Sequence, residues 1–170
     1  MEAETNSKWH DKPEVKKGDL GEEIGEKRVL ARGWQAYGPV FDGPHIVDRV
    51  YIRNKPRPDG SKFICVDFKC KELRKLYPDT GFPLRNYNHY VEVDETIPVV
   101  IMFVDYIRGE IYGNNLKDLT PHMKIEKGIV YFPHDCMLFV DTLTPEEIQR
   151  IKIAKERVNK EKADRGESCF

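Results

Sequence analysis

The sequence predicts a mixed α/β domain: a sheet of four to five strands flanked by helices, extended by C-terminal strands and a last helix. Three observations carry that expectation. Apolar runs of strand length recur from Trp34 to Val140, none approaching the ~20 residues of a membrane span. Helical patterns precede, interrupt and follow those runs. Finally, 170 residues at 39% hydrophobic content are enough for one core without a disulfide or zinc staple.

The first helix is expected over residues 14–32. Pro13 suits a first helical position, and Gly33 the residue past the end. Gly18, Gly21 and Gly25 each disfavour helix by roughly 1 kcal/mol against Ala, which draws the expected start toward Asp19, a good N-cap. Residues 34–37 form a short strand and 38–44 a Gly/Pro loop. Residues 46–53 and 62–71 are strands, joined by a hairpin turn with two prolines and Asp59-Gly60. On the second of them Phe63, Cys65, Asp67 and Lys69 share one face; Ile64, Val66, Phe68 and Cys70 share the other. Pro78, Gly81 and Pro83 make 77–84 a loop.

Residues 85–95 read as a helix, and 97–105, apolar almost throughout, as a strand buried on both faces. After the Arg108-Gly109 turn, 110–112 is an edge strand; 129–132 and 137–140 are further short strands. Thr144-Pro145-Glu146-Glu147 is a capping box, and Ile148, Ile151, Ala154 and Val158 form the stripe of the helix it starts. The expected organisation is a flexible 1–12, one domain over 13–160 with its core at about 18–119, and a flexible tail at 161–170.

Composition excludes disorder, and a polar, charged opening segment without a signal-type apolar run points to the cytoplasm and away from membranes. Cys65, Cys70, Cys136 and Cys169 show no C-x-x-C spacing, so free thiols are expected. The net charge of −1 argues, taken whole, against a nucleic-acid partner. It averages two unlike parts. Residues 49–75 hold nine cations against three carboxylates, a net +6, leaving −7 for the rest.

The chemistry gathers in and beside that basic segment. Asp67 and Lys69 project from one strand face about 7 Å apart. With Asp48 on the partner strand they make a hard-cation site: two carboxylates and a carbonyl can hold Mg²⁺ and leave water positions open. Mg²⁺ beside a lysine is apparatus for attack of water on a phosphodiester.

At these residues the chain resembles the PD-(D/E)XK nuclease superfamily, which includes restriction endonucleases, archaeal Holliday-junction resolvases and phage recombination nucleases. The resemblance covers roughly residues 18–119. Gly21-Glu22, followed by Val29 and Gly33-Trp34, is similar to the opening helix whose Glu reaches the metal. Asp48 stands at the first catalytic Asp, and Asp67-Phe68-Lys69 at the (D/E)-X-K. Val47 replaces the proline that gives the superfamily its name, and Asn86, Asn88 and His89 occupy the second helix where many members carry Gln or Lys.

The resemblance implies a restriction-endonuclease-like core and Mg²⁺-dependent cleavage (Mn²⁺ substituting) of nucleic acid, DNA above all, in recombination or repair. Asp48 and Asp67 would bind metal, Lys69 would position or activate water, and Glu22 would hold a second metal or a metal-bound water. Arg49, Arg53, Lys55, Arg57, Lys62, Lys71, Arg74 and Lys75 would meet backbone phosphates. Resolvases are dimers, so a homodimer is one option. Two readings compete: a non-cleaving nucleic-acid-binding module on the same fold, and an interaction protein with a chance motif. Glu26, His45 and an ordinary surface ion pair at Asp67 and Lys69 are the local alternatives.

Overall fold

The computed structural model describes residues 12–38 and 49–166. Helix α1 (Pro13–Leu30) begins at the proline rather than near Asp19. Its glycines explain why. A Cβ on Gly21 would lie 2.6 Å from Cys70 Cβ, and one on Gly25 would lie 2.3 Å from the Phe68 ring. Both are sites of close approach to a strand, so helix propensity yields to packing.

Strands β1 (Gln35–Tyr37), β2 (Arg49–Ile52) and β3 (Phe63–Lys69) form an antiparallel meander, with Arg49 opposite Val66. Strand β5 (Val99–Asp105) runs parallel to β3, after helix α2 (Leu84–Asp94) makes the crossover. Strand β6 (Glu110–Asn115) returns antiparallel, and β9 (Leu138–Thr142) pairs on its outer side. The main sheet therefore has six strands, in the order β1-β2-β3-β5-β6-β9. That is one more than expected, and β6 is not the edge.

Residues 79–83, expected as loop, form strand β4 (Asp79–Pro83). It pairs with β8 (Ile129–Pro133), which also pairs with β7 (Lys124–Glu126) in a separate three-stranded sheet. Gly81 and Pro83 look like turn residues in isolation. In the fold a Cβ on Gly81 would meet the Val130 carbonyl oxygen at 2.0 Å, so the glycine admits a neighbouring backbone.

A short helix α3 (Leu116–Leu119) follows β6, and helix α4 (Pro145–Asp164) closes the described chain. Both halves of the Thr144–Glu147 capping box are made, and Arg28 Nη2 meets Glu147 Oε2 at 2.6 Å, tying α4 to α1.

The pleat sorts the core into layers. On one side of the main sheet, Val66 and Phe68 pack with Val29 and Trp34, and Val104 packs with Ile24 of α1 and Ile151 of α4. On the other, Cys65, Ile101 and Phe103 pack against Tyr87 and Tyr90 of α2 and Phe82, Val130 and Phe132 of the small sheet. Among the described residues no helix is long and apolar enough to cross a membrane.

Candidate active site

The alternation of β3 puts Asp67 and Lys69 on the face toward α2 and β4, as the spacing predicts. Val66 and Phe68, on the opposite face, anchor the strand under α1. Beyond Val66, β3 has no described neighbour on its β2 side. The D-x-K residues lie beyond the part of that pairing formed by the described residues.

Asp67 is 1% exposed. Its Oδ1 accepts a 2.7 Å hydrogen bond from the Tyr90 hydroxyl. Its Oδ2 lies 2.6 Å from Lys69 Nζ. That second contact is close in charge but not aligned as a hydrogen bond, and Oδ2 accepts no other. Lys69 Nζ also donates to the Tyr90 oxygen at 3.1 Å and sits over the Phe82 and Tyr90 rings at 5.8 and 5.6 Å. Burial and the Asp67 charge push the Tyr90 phenol above its usual range, so it stays a donor toward the carboxylate. Asp67, Lys69 and Tyr90 form a closed triangle in an apolar setting.

Glu22 approaches from α1. It lines a cavity of about 340 Å³ with Asp19, Glu26, Arg49, Tyr51 and Phe68. Burial, then the Asp19 and Asp67 charges, raise its carboxyl above the ordinary range; Lys69 and Arg49 partly offset this. Glu26, one turn on, is engaged: Tyr51 donates to its Oε1 at 3.2 Å and Arg49 Nε lies 3.4 Å from it. Glu22 accepts no hydrogen bond among the described residues.

Asp48 and His45 lie outside the described residues. Among the described residues no group of three or more His, Cys, Asp or Glu is placed to hold a metal ion. The donor types present suit a hard divalent cation: the Asp67 oxygen without an aligned hydrogen bond, and the Glu22 carboxyl, raised first by burial and in smaller part by the Asp19 and Asp67 charges.

The basic segment divides. Arg74 is committed to the fold, 2.5 Å from Asp79 and 2.7 Å from Glu126, between the rings of Tyr77 and Tyr131. Arg57 donates to Asn115 and lies 3.4 Å from Asp59; Arg53 stacks on Trp34 at 4.5 Å. Lys71 Nζ donates to the Gly81 carbonyl at 2.9 Å. Lys55, Lys62 and Lys75 are exposed.

Two residues beyond the expected set matter. Tyr90 reads from sequence as packing, and it is buried, but its hydroxyl joins Asp67 to Lys69. Its i, i+3 spacing from Tyr87 signals an inward face, while the partner of its oxygen depends on the β3–α2–β5 crossover. Asp105, at the end of β5, is fully buried and accepts from the Leu73, Ile107 and Arg108 backbone N–H groups and the Tyr112 hydroxyl. Cys65, Cys70 and Cys136 are free, and burial raises all three thiols, Cys65 to about 11.

No protein-family model and no curated protein sequence matches the chain. A solved structure does. The fold is similar to that of Hjc, a Holliday junction resolvase from the archaeal hyperthermophile Archaeoglobus fulgidus, with a TM-score of 0.53. The match covers 73% of this chain and 92% of that one, at 9% identity. At that identity the likeness is one of architecture: a mixed sheet flanked by helices, as in resolvases and restriction endonucleases.

Proposed function

We propose that the chain is a metal-dependent nuclease hydrolysing phosphodiester bonds of DNA. One observation carries the reading: a buried Asp67 with one oxygen fixed by a hydrogen bond and the other held only by the Lys69 ion pair, on a fold similar to a junction resolvase. A carboxylate this deep is uncommon unless fully hydrogen-bonded, and one oxygen of this one has only the Lys69 ion pair.

In the proposed roles Asp67 and Asp48 hold Mg²⁺, and Glu22 holds a second metal or a metal-bound water. When bound, the ion supplies a more acidic water and neutralises charge growing on phosphate. Tyr90 fixes Asp67 Oδ1, so Oδ2 faces one direction. Lys69, on the same face, is placed to orient an attacking water or to meet the charge on a phosphate oxygen. The raised Glu22 carboxyl holds a proton more readily than an exposed one. Exposed Lys55 and Lys62 on the β2–β3 hairpin, with Lys75, meet backbone phosphates.

The near-complete burial of Asp67 favours a second reading, a DNA-binding module in which the triangle is only structural. A cleavage panel separates the two. Linear duplex, nicked, single-stranded and four-way DNA are incubated with Mg²⁺ or Mn²⁺ and with EDTA, the four-way form first because of the resolvase likeness. Metal-dependent cutting lost in Asp67→Asn supports the nuclease. Binding without cutting on every form supports the module.

A further inference from the structure

Beyond the carboxyl end of β3 lies a cavity of about 760 Å³, away from the Glu22 cavity. Its lining draws on parts distant in sequence: Lys17 from α1, Lys71 and Lys75 after β3, Thr80 from β4, and Lys155 from α4. One carboxylate, Glu72, lines it too, and it is ion-paired to Lys155. Arg74 is neutralised by Asp79 and Glu126. That leaves Lys17 and Lys71 converging without a carboxylate in ion-pair contact among the described residues.

Such crowding is costly to a fold that gains nothing from it. Burial lowers the Lys17 ammonium below its usual range, with Lys155 and Lys162 adding repulsion. Lys71, exposed along its stem, is lowered by desolvation where its ammonium enters the cleft to reach the Gly81 carbonyl, then by Lys69 and Lys17. Glu72 counteracts part of this on both lysines. A second, independent feature is Thr80. It is 2% exposed, lines the same cavity, and its hydroxyl has no hydrogen-bond partner. Buried hydroxyls are almost always satisfied, so this one marks a missing acceptor. Cations and an unmatched hydroxyl at one cavity select an anion rich in acceptor oxygens.

We propose that this cavity binds a backbone phosphate of the nucleic-acid strand whose scissile bond lies at Asp67 and Lys69. The proposal rests on the nuclease reading for its strand, and its chemistry is a phosphate held by Lys17 and Lys71, with the enclosed Thr80 hydroxyl the donor that turns to meet it. The strand is favoured over a free anion by the rim. Tyr77 and Leu76 are 54% and 87% exposed there, and an aromatic face beside a phosphate site suits a base. The volume, too, far exceeds one phosphate ion.

The test is binding, read in EDTA so that cleavage plays no part. A fluorescein-labelled single-stranded oligonucleotide is titrated by anisotropy over a salt series against the full chain, Lys17→Gln, Lys71→Gln and the exposed α4 control Lys152→Gln. Each cavity variant should bind about tenfold more weakly and lose about one unit of the log–log salt slope, while the control matches the parent. Lys17→Arg, which keeps the charge, should retain the slope. It also serves as the folding check, with melting temperatures measured for all. Inorganic phosphate should shift the ε-methylene resonances of Lys17 and Lys71 saturably.

Parent-like affinity and slope in both glutamine variants overturn the proposal. Phosphate-induced shifts combined with unchanged oligonucleotide binding overturn the strand assignment and leave a free-anion site. If the chain cuts no DNA yet loses binding through these lysines, the nuclease reading falls and the link to a scissile bond with it, while the cavity stands as a nucleic-acid phosphate site.

Discussion

Asp67 and Asp105 sit on neighbouring parallel strands, both essentially without solvent contact, yet they are built differently. Both oxygens of Asp105 are occupied: Oδ1 by the Ile107 and Arg108 N–H groups, Oδ2 by Leu73 N–H and the Tyr112 hydroxyl. It staples the turn after β5 to the segment after β3. Asp67 has one aligned donor, the Tyr90 hydroxyl on Oδ1, and on Oδ2 only the Lys69 ammonium, an ion-pair contact without an aligned hydrogen bond. A buried carboxylate with a full set of donors is part of the fold. One held on one side by a single ammonium has a partner that another cation could replace.

The comparison breaks first at Asp67. Asp67→Asn should lower cleavage at least about a hundredfold, as loss of a group that meets reaction charge does, and leave the fold intact. Mg²⁺ or Mn²⁺ should raise the melting temperature of the parent and not of the variant, since a ligand stabilises only the state that binds it. A parent-like cleavage rate in Asp67→Asn removes the site assignment.

Asp105→Asn is the mirror experiment. The new amide must turn its NH₂ toward N–H donors on one side, so a buried donor is left facing a donor. The expected loss is about 3 kcal/mol of unfolding free energy, read by urea titration. Cleavage per folded molecule should be unchanged. If instead activity falls while the urea midpoint holds, Asp105 belongs to the site and the contrast is wrong.

Part of this contrast was legible in the sequence. Period-2 alternation put Asp67 and Lys69 on one face, and Asp105 closed an apolar run at the end of a strand. The donors were not legible. Tyr90 reaches Asp67 only because β5 lies parallel to β3 with α2 over the crossover, and such contacts carry no local signature. The same limit hid β4: Pro78, Gly81 and Pro83 have turn chemistry, and only the partner strand β8 gives Gly81 its reason. Local rules worked where the residues themselves satisfy the backbone, as at the Thr144 capping box.

Tyr90 sharpens the comparison at a smaller scale. Tyr90→Phe keeps the ring packing against Phe82 (centroids 5.5 Å apart) and removes the one aligned donor to Asp67. Stability should fall by about 1 kcal/mol. Cleavage should fall through kcat with KM little changed, because Tyr90 positions Asp67 and Lys69 and touches no substrate. A change confined to KM would make it a binding residue instead.

The smallest effect tests whether Glu22 feels Asp67 at all. A carboxyl raised in the folded state binds its proton more tightly folded than unfolded. Its contribution to stability is therefore fully present below its ordinary value of 4.5 and is lost as pH rises through the raised one. Other carboxylates run the opposite way. Glu23, held down to about 2 by hydrogen bonds from Arg150 and Lys27, stabilises the fold above its ordinary range. The total pH curve would hide Glu22, so the measurement is a difference: unfolding free energy of the parent minus that of Glu22→Gln, across the acid range. That difference should fall as pH rises above 4.5 and then level. In the Asp67→Asn background the fall should shrink, since one of the charges that raises Glu22 is gone, though burial and Asp19 remain. A fall of equal size in both backgrounds would place Glu22 outside the reach of Asp67 and leave α1 with no part in the site.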